Sequence, residues 1–271
     1  MSEVAPARDI AAAKLNLALH VRGKRDDGRH DIETIFAFCT DGDLLSAVPA
    51  SDLSLTTTGS FAPDLGSVDD NLVMKAARAL RDASGTSAGA ALALDKRLPV
   101  ASGLGGGSAD AAAALRLLTG LWGVDPAHAL AVAPTLGSDV PACLLSLPAR
   151  GTGAGDSLGP VDLGLAGTPV LLVNPRVQLL SERMFACWDG VDHGPLGDWR
   201  HGRNDLEPAA IANAPQVETV LAWLMVQPGV DLARMSGSGA TCFAMFANEA
   251  ARDEAANRVP REWWRLATSL R

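Results

Sequence analysis

At 271 residues, with 48% hydrophobic and 20% charged side chains, the chain is large enough to bury a core without disulfide or metal staples, as one large domain or two modest lobes. Its 23 basic and 31 acidic residues give a net charge of -8, which repels a phosphate polymer and argues against nucleic acid as a partner. Four cysteines (Cys39, Cys143, Cys187, Cys242) lie far apart with no CxxC pair, so they suggest neither a zinc site nor a disulfide framework and read as reduced thiols in a cytoplasm.

The opening residues carry no apolar core of signal-peptide length, and the stretch from Val220 to Val226 is too short to span a bilayer; a soluble protein is expected. From Ile10 to Val21 the pattern alternates, with Leu15, Leu17, Leu19 and Val21 on one face and Lys14, Asn16 and His20 on the other. A strand follows from this period, with one apolar and one polar face. The charged, glycine-containing run from Arg22 to His30 predicts a loop, and a second strand runs through Ile32, Thr34, Phe36 and Phe38. A short strand is expected at Leu53 to Thr58, and a helix from Asp70 to Leu80 opened by a capping residue. Ala91 to Leu94 reads as a strand leading to a glycine-rich run, followed by helices from Ser108 to Leu118 and from Pro126 to Leu136, the latter stopping at Gly137.

Beyond the glycine-broken segment Gly151 to Gly159, a buried strand is expected at Val170 to Val173. A helix follows near Val217 to Val226, a strand at Ala240 to Phe246 and a charged helix at Glu249 to Arg258. The mixture argues for an α+β fold, with a lobe boundary near Gly159 to Gly167 that divides the chain into residues 1–160 and 161–271.

The glycine-rich run is Pro99-Val-Ala-Ser-Gly-Leu-Gly-Gly-Gly-Ser108. Glycines let backbone amides converge on one point, and a helix that starts immediately afterwards adds its unpaired N–H groups and positive dipole end. Gly103, Gly105, Gly106 and Gly107, with Ser108 as the expected helix cap, therefore read as an anion cradle; Ala109 and Ala111 to Ala114 would let the helix pack closely. No Gly-Lys-Ser/Thr follows, which excludes a Walker loop, and Ser108 stands where the dinucleotide fingerprint needs its third glycine. A second cluster, Arg234-Met-Ser-Gly-Ser-Gly-Ala-Thr241, reads by itself equally as a tight turn or a ligand contact.

Together and in this order, Lys14-Leu-Asn16, Pro99 to Ser108 and Gly237 to Ala240 resemble the signature motifs of the GHMP kinases. Ala13 to Leu17, Arg25 to His30, Asp70-Asn-Leu72, Asp95 to Pro99 and Gly137-Ser-Asp-Val-Pro141 resemble more narrowly the branch of that family that acts on a cytidine diphosphate-linked methylerythritol. The resemblance covers the chain from about Ala12 to Phe246. It implies a two-lobed α+β fold with a central active-site cleft, residues 1–160 carrying the phosphate loop and catalytic residues. The activity it implies is transfer of the ATP γ-phosphoryl group to the 2-hydroxyl of that substrate, a step of non-mevalonate isoprenoid synthesis.

By position, the resemblance makes Asp139 the catalytic base and Lys14 its charge partner. A carboxylate can take the alcohol proton while an ammonium offsets charge on the transferring group. From local sequence alone, Asp139 reads as a helix cap or turn residue and Lys14 as an exposed strand residue. The resemblance assigns ATP to Pro99, Ala101, Ser102, Gly103, Leu104, Gly105, Gly106, Gly107, Ser108 and Ala109, with Asn71, Leu72 and Lys96 around the adenine; Asp110 replaces a polar family residue. Locally, Asn71 could equally start a helix and Lys96 be a solvated charge, and Asn204-Asp-Leu-Glu207 reads as a helix start.

On the acceptor side the resemblance implies Asn16, His30 against the cytosine edge, Ser181, Phe185 stacked on the base, and Gly237, Ser238 and Gly239. A solvated histidine and a core phenylalanine are the local alternatives for His30 and Phe185. Arg29 stands where the family usually has a base-stacking tyrosine, and the chain contains no tyrosine; a guanidinium plane can stack on a base instead. ATP is expected as the magnesium complex, with no protein metal cluster evident. Two other readings stay open: a homoserine- or mevalonate-type kinase on the same fold, and a nucleotide-binding regulator without turnover.

Overall fold

A computed structural model describes residues 5–271; the leaderless reading of the first four residues lies outside the described residues. The elements, in chain order, begin with β1 (Ala7–Lys24), β2 (His30–Ala50), β3 (Leu53–Thr58), α1 (Leu72–Ser84), β4 (Gly89–Asp95) and α2 (Gly106–Trp122). α3 (Pro126–Leu136), α4 (Val140–Leu145), β5 (Ala149–Thr152), β6 (Ser157–Pro160), β7 (Pro169–Asn174) and α5 (Ser181–Ala186) follow. The chain closes with α6 (Glu207–Asn213), α7 (Gln216–Met225), β8 (Val230–Met235), β9 (Cys242–Phe246), α8 (Glu249–Arg258) and β10 (Trp264–Ser269).

The chain forms two compact units, but not by a single cut near residue 160. One unit holds the chain up to Ala13, Asp41–Val100 and Gly105–Ser146; the other holds Lys14–Thr40, Ala101–Leu104 and Leu147–Arg271. These units interleave along the chain, where the expected division at 160/161 is a single cut. A boundary read from proline and glycine content assumes that each unit is continuous in sequence, whereas β1, β2 and the glycine-rich run each contribute to both units.

In the first unit β3 pairs parallel with β4, from Leu53 opposite Ala90 to Thr58 opposite Asp95, and β4 pairs antiparallel with the Leu44–Ala50 end of β2. α1, α2, α3 and α4 pack on one another. Ala109 and Ala111 to Ala114 are all buried, so α2 is a central helix whose small side chains admit close neighbours. α1 is opened by Asn71, whose side chain accepts from the Val73 N–H, and closed by Gly85 at φ 67°.

In the second unit β10, β7, β9 and β8 form an antiparallel sheet in that order. β7 and β9 are buried along their whole length, and Leu171, Val173 and Phe246 share one core with Val217, Val220 and Leu224 of α7. The glycine-broken segment Gly151 to Gly159 falls within the antiparallel hairpin of β5 and β6, where Gly153 (φ 66°) and Gly155 (φ 88°) supply the turn that reverses the chain.

The polar face of β1 is buried rather than solvated: Lys14, Asn16 and His20 are all less than 5% exposed. His20 lies with Nδ1 3.1 Å from the Gly194 carbonyl, and its Nε2 accepts from the Arg203 N–H at 3.3 Å, an arrangement for a neutral imidazole. Burial, the largest influence, pulls its pKa below the ordinary histidine value. Among the described residues no helix is long and apolar enough to cross a membrane.

Candidate active site

The first unit contributes the start of α2. Gly105 (φ 62°, ψ 23°) is its N-cap, and the Ala109 N–H donates to the Gly105 carbonyl at 2.8 Å. Gly106, Gly107 and Ser108 therefore occupy the first turn, where helix geometry leaves their N–H groups without an intrahelical acceptor. Ser108 is not the cap that the sequence suggests: a left-handed glycine starts the helix two residues into the glycine run, before the serine is reached. Leu72 lies beside this turn, since a Cβ on Gly107 would meet its Cδ1 at 3.4 Å. Asn71, through its cap, fixes where Leu72 begins α1.

Beneath the same turn is a group of buried charges. Lys96 Nζ donates to Asp43 at 2.5 Å and to Asp110 at 2.6 Å, and the second Asp43 oxygen accepts from the Arg97 and Leu98 N–H groups at 2.5 and 2.8 Å. All three side chains are nearly fully buried. Lys96 is thus no solvated charge. Its ammonium is enclosed between two carboxylates, so any part it plays toward a nucleotide runs through the position of α2 rather than through an exposed ammonium. A Cβ on Gly106 would lie 3.0 Å from that Nζ, so a larger residue there would press on the buried ammonium. Burial raises the Asp110 carboxyl to about 7, with Asp43 pushing the same way and Lys96 opposing. Asp43 had no sequence signal: an acidic residue in a long strand reads as solvated.

α4 begins at Asp139, yet the Asp139 side chain makes no cap hydrogen bond to its helix. Asp139 thus takes the cap position through its backbone, its carbonyl accepting from the Cys143 N–H at 3.0 Å.

The second unit holds Lys14, buried, with Nζ 2.9 Å from Asn16 Oδ1 and 5.1 Å from the centroid of the Phe36 ring. Asn16 in turn donates through Nδ2 to Thr34 Oγ1 at 2.8 Å, and Thr34 donates to the Ala18 carbonyl. This chain of bonds fixes the amide so that its oxygen faces the ammonium. The Lys14 N–H also donates to the Leu104 carbonyl at 3.0 Å, tying the strand to the glycine-rich run.

Ala101 to Leu104 lie against the turn of Gly237, Ser238 and Gly239. Ser236 Oγ donates to the Gly103 carbonyl at 3.0 Å and accepts from the Asn16 N–H at 3.2 Å, while the Thr241 N–H donates to the Ser102 carbonyl at 3.0 Å. Asn204 donates to the Met235 and Gly237 carbonyls at 2.9 and 2.8 Å, so this residue, besides accepting from the Leu206 N–H, holds the turn in place. Ser236 went unread in the sequence because its partners are far away along the chain.

Gly103 sits at φ 79°, and a Cβ there would overlap the Ser236 carbonyl oxygen. Gly103→Ala is expected to cost at least ~2 kcal/mol through left-handed strain and overpacking together. The urea unfolding midpoint measures it, and an unchanged midpoint would show that the two turns do not pack as described.

His30 and Phe185 are brought together: their rings are 5.1 Å apart between centroids and inclined by 26°. Trp188, unread in the sequence, stands edge-on to His30 at 5.7 Å and 89°. Burial, with a smaller push from Lys24, lowers the His30 pKa and favours the neutral ring. Ser181 Oγ lies 2.9 Å from Ser238 Oγ. Arg29 is engaged otherwise, with Nε and Nη2 on Asp27 at 2.9 and 2.8 Å and Nη1 on Asp156 at 3.3 Å. Among the described residues no group of three or more histidine, cysteine or acidic side chains could hold a metal ion.

The first unit thus holds a helix opened by glycines, and the second a buried lysine on a strand and a further glycine turn. The family model of the GHMP kinase N-terminal domain matches residues 71–146 and that of the C-terminal domain residues 174–266; the chain belongs to the GHMP kinase family. It is 53% identical to the 4-diphosphocytidyl-2-C-methyl-D-erythritol kinase of Rhizorhabdus wittichii, over 97% of this chain and 94% of the relative. The enzyme of the same name from Novosphingobium aromaticivorans is 48% identical over 97% of this chain and 93% of its own. A crystal structure of 4-(cytidine 5'-diphospho)-2C-methyl-D-erythritol kinase matches with TM-score 0.84 and 30% identity, covering 97% of this chain and 99% of that one. Within the GHMP kinases, this chain falls among the 4-diphosphocytidyl-2-C-methyl-D-erythritol kinases.

Proposed function

We propose that the protein transfers the γ-phosphoryl group of ATP to the 2-hydroxyl of 4-diphosphocytidyl-2-C-methyl-D-erythritol, giving the 2-phosphate and ADP, in the cytoplasm. The observation that carries this reading is the stack of His30 on Phe185. The resemblance assigned these two residues separately to one base, and the fold brings them into one contact. A neutral imidazole offers one donor and one acceptor, which suits a cytosine edge that itself presents both.

In this reading Asp139 takes the proton of the 2-hydroxyl as its oxygen attacks the γ-phosphorus. The new O–P bond forms as the bond to ADP breaks, and the proton passes from Asp139 to water afterwards. Lys14, held by Asn16, offsets negative charge on the transferring group. The N–H groups of Gly106, Gly107 and Ser108 take phosphate oxygens, and ATP would enter as its magnesium complex. The remaining assigned contacts, from Pro99 to Ala109 and from Gly237 to Gly239, belong to the same reading.

An ADP-release assay with the cytidyl compound, homoserine and mevalonate as separate acceptors tests it. Turnover with the cytidyl compound alone is expected, abolished by EDTA and restored by magnesium. Turnover with homoserine or mevalonate and none with the cytidyl compound would overturn the reading, and no turnover with any acceptor would favour the regulator.

A further inference from the structure

Building on the cytidyl-substrate reading, we propose that Trp188 is a positioning residue for base recognition. It holds the His30 ring against Phe185 and so completes, with an indole, an aromatic cluster that in this chain has no tyrosine.

Three observations carry this. First, the two rings that contact His30 come from one short stretch of chain: Phe185 lies on α5, and the Trp188 N–H donates to the Phe185 carbonyl at 3.2 Å. One face of the imidazole is covered by the stacked phenyl ring, and the near-perpendicular indole blocks its rotation from the side. Second, the edge of the Arg29 guanidinium is held at the surface by Asp27 and Asp156, whereas the Trp188 ring already stands against His30. Third, Trp188 Nε1 is buried and has no hydrogen-bond partner among the described residues. Burying an indole N–H without an acceptor is unfavourable, and a residue serving only as packing would do better as phenylalanine or leucine.

The effect expected is on acceptor binding and not on chemistry. Trp188→Leu should raise KM for the cytidyl compound about tenfold or more, the loss of one ring contact and of His30 alignment together, with kcat and KM for ATP within about threefold. Trp188→Phe, which keeps an aromatic ring, should show a smaller rise. A role in packing alone would instead lower stability with KM for the cytidyl compound unchanged, and that outcome overturns the proposal.

Should the leucine variant fail to fold, the wild-type enzyme decides. The Trp188 indole N–H resonance, assigned by its disappearance in the phenylalanine variant from a chain with 6 tryptophans, should shift on adding cytidine diphosphate and not on adding ADP. No shift at saturating cytidine diphosphate sinks the role of Trp188. Wild-type turnover of the cytidyl compound, measured alongside, separates this failure from failure of the substrate reading: turnover with no effect at Trp188 refutes only the inference, and no turnover refutes the reading beneath it.

Discussion

Asp139→Asn should lower kcat by about two to four orders of magnitude, the range contributed by a positioned general base, while ATP affinity stays within a few-fold. An amide has nearly the shape of the carboxylate but cannot take the proton of the acceptor hydroxyl, so the chemical step loses its base. The fold should tolerate the exchange because the amide keeps the volume of the carboxylate and the start of α4 is helped by Pro141 in its first turn. Single-turnover phosphoryl transfer and calorimetric titration with ATP measure the two quantities separately. A variant with near-normal turnover would make Asp139 a structural residue. Parallel loss of turnover and ATP affinity would place its effect on the glycine-started helix rather than on the acceptor.

The largest expected effect on stability is at Lys96. Replacing it by methionine leaves Asp43 and Asp110 facing each other with no cation between them, at a position where all three side chains are almost fully buried. Breaking such a buried group by removing one partner costs ~3–5 kcal/mol. Urea unfolding of Lys96→Met should show the loss, and a change below ~1 kcal/mol would mean that the carboxylates are not held as charges around the lysine. Asp110→Asn should be far milder, since an amide oxygen can still accept from Nζ and the remaining Asp43 and Lys96 form a neutral pair.

The pH dependence of that cluster has a definite sign. The Asp110 carboxyl is raised to about 7 in the folded protein, so the native state keeps a proton that the unfolded chain releases near the ordinary carboxylate value of about 4. The stability from this group is fully present below that unfolded value and is lost as pH rises through 7. In Asp110→Asn this part of the fall should vanish, which comparison of unfolding midpoints at pH 5 and pH 8 reads directly.

Much of the framework was legible because its signals are local. The two-residue period of β1, the limits of β3, α3 and α8, and the glycine-rich run ahead of α2 are properties of adjacent residues, and the fold places those elements where the patterns lie. The shorter elements α4, α5, β8 and β10, each six residues long, were missed, and α6 was legible only as a start at Asn204 to Glu207, because only packing against larger neighbours stabilises such short pieces. The hairpin of β5 and β6 was hidden for a related reason: its glycines read as a break when they form the turn.

By itself, then, the sequence showed that a glycine-rich run leads into a helix and that Lys14 and Asn16 share a strand face, while the resemblance to the GHMP kinases made His30 and Phe185 candidates for one base. Only the tertiary structure decided that Lys96 is enclosed by Asp43 and Asp110, that Ser236 and Asn204 pin the two glycine turns, that Arg29 is drawn to Asp27 and Asp156, and that Trp188 stands against His30. Helix caps, strand periods and glycine turns are selected by neighbouring residues. A buried ion group or an aromatic contact is selected by which distant side chains the core leaves facing one another, and no local pattern of residues encodes that.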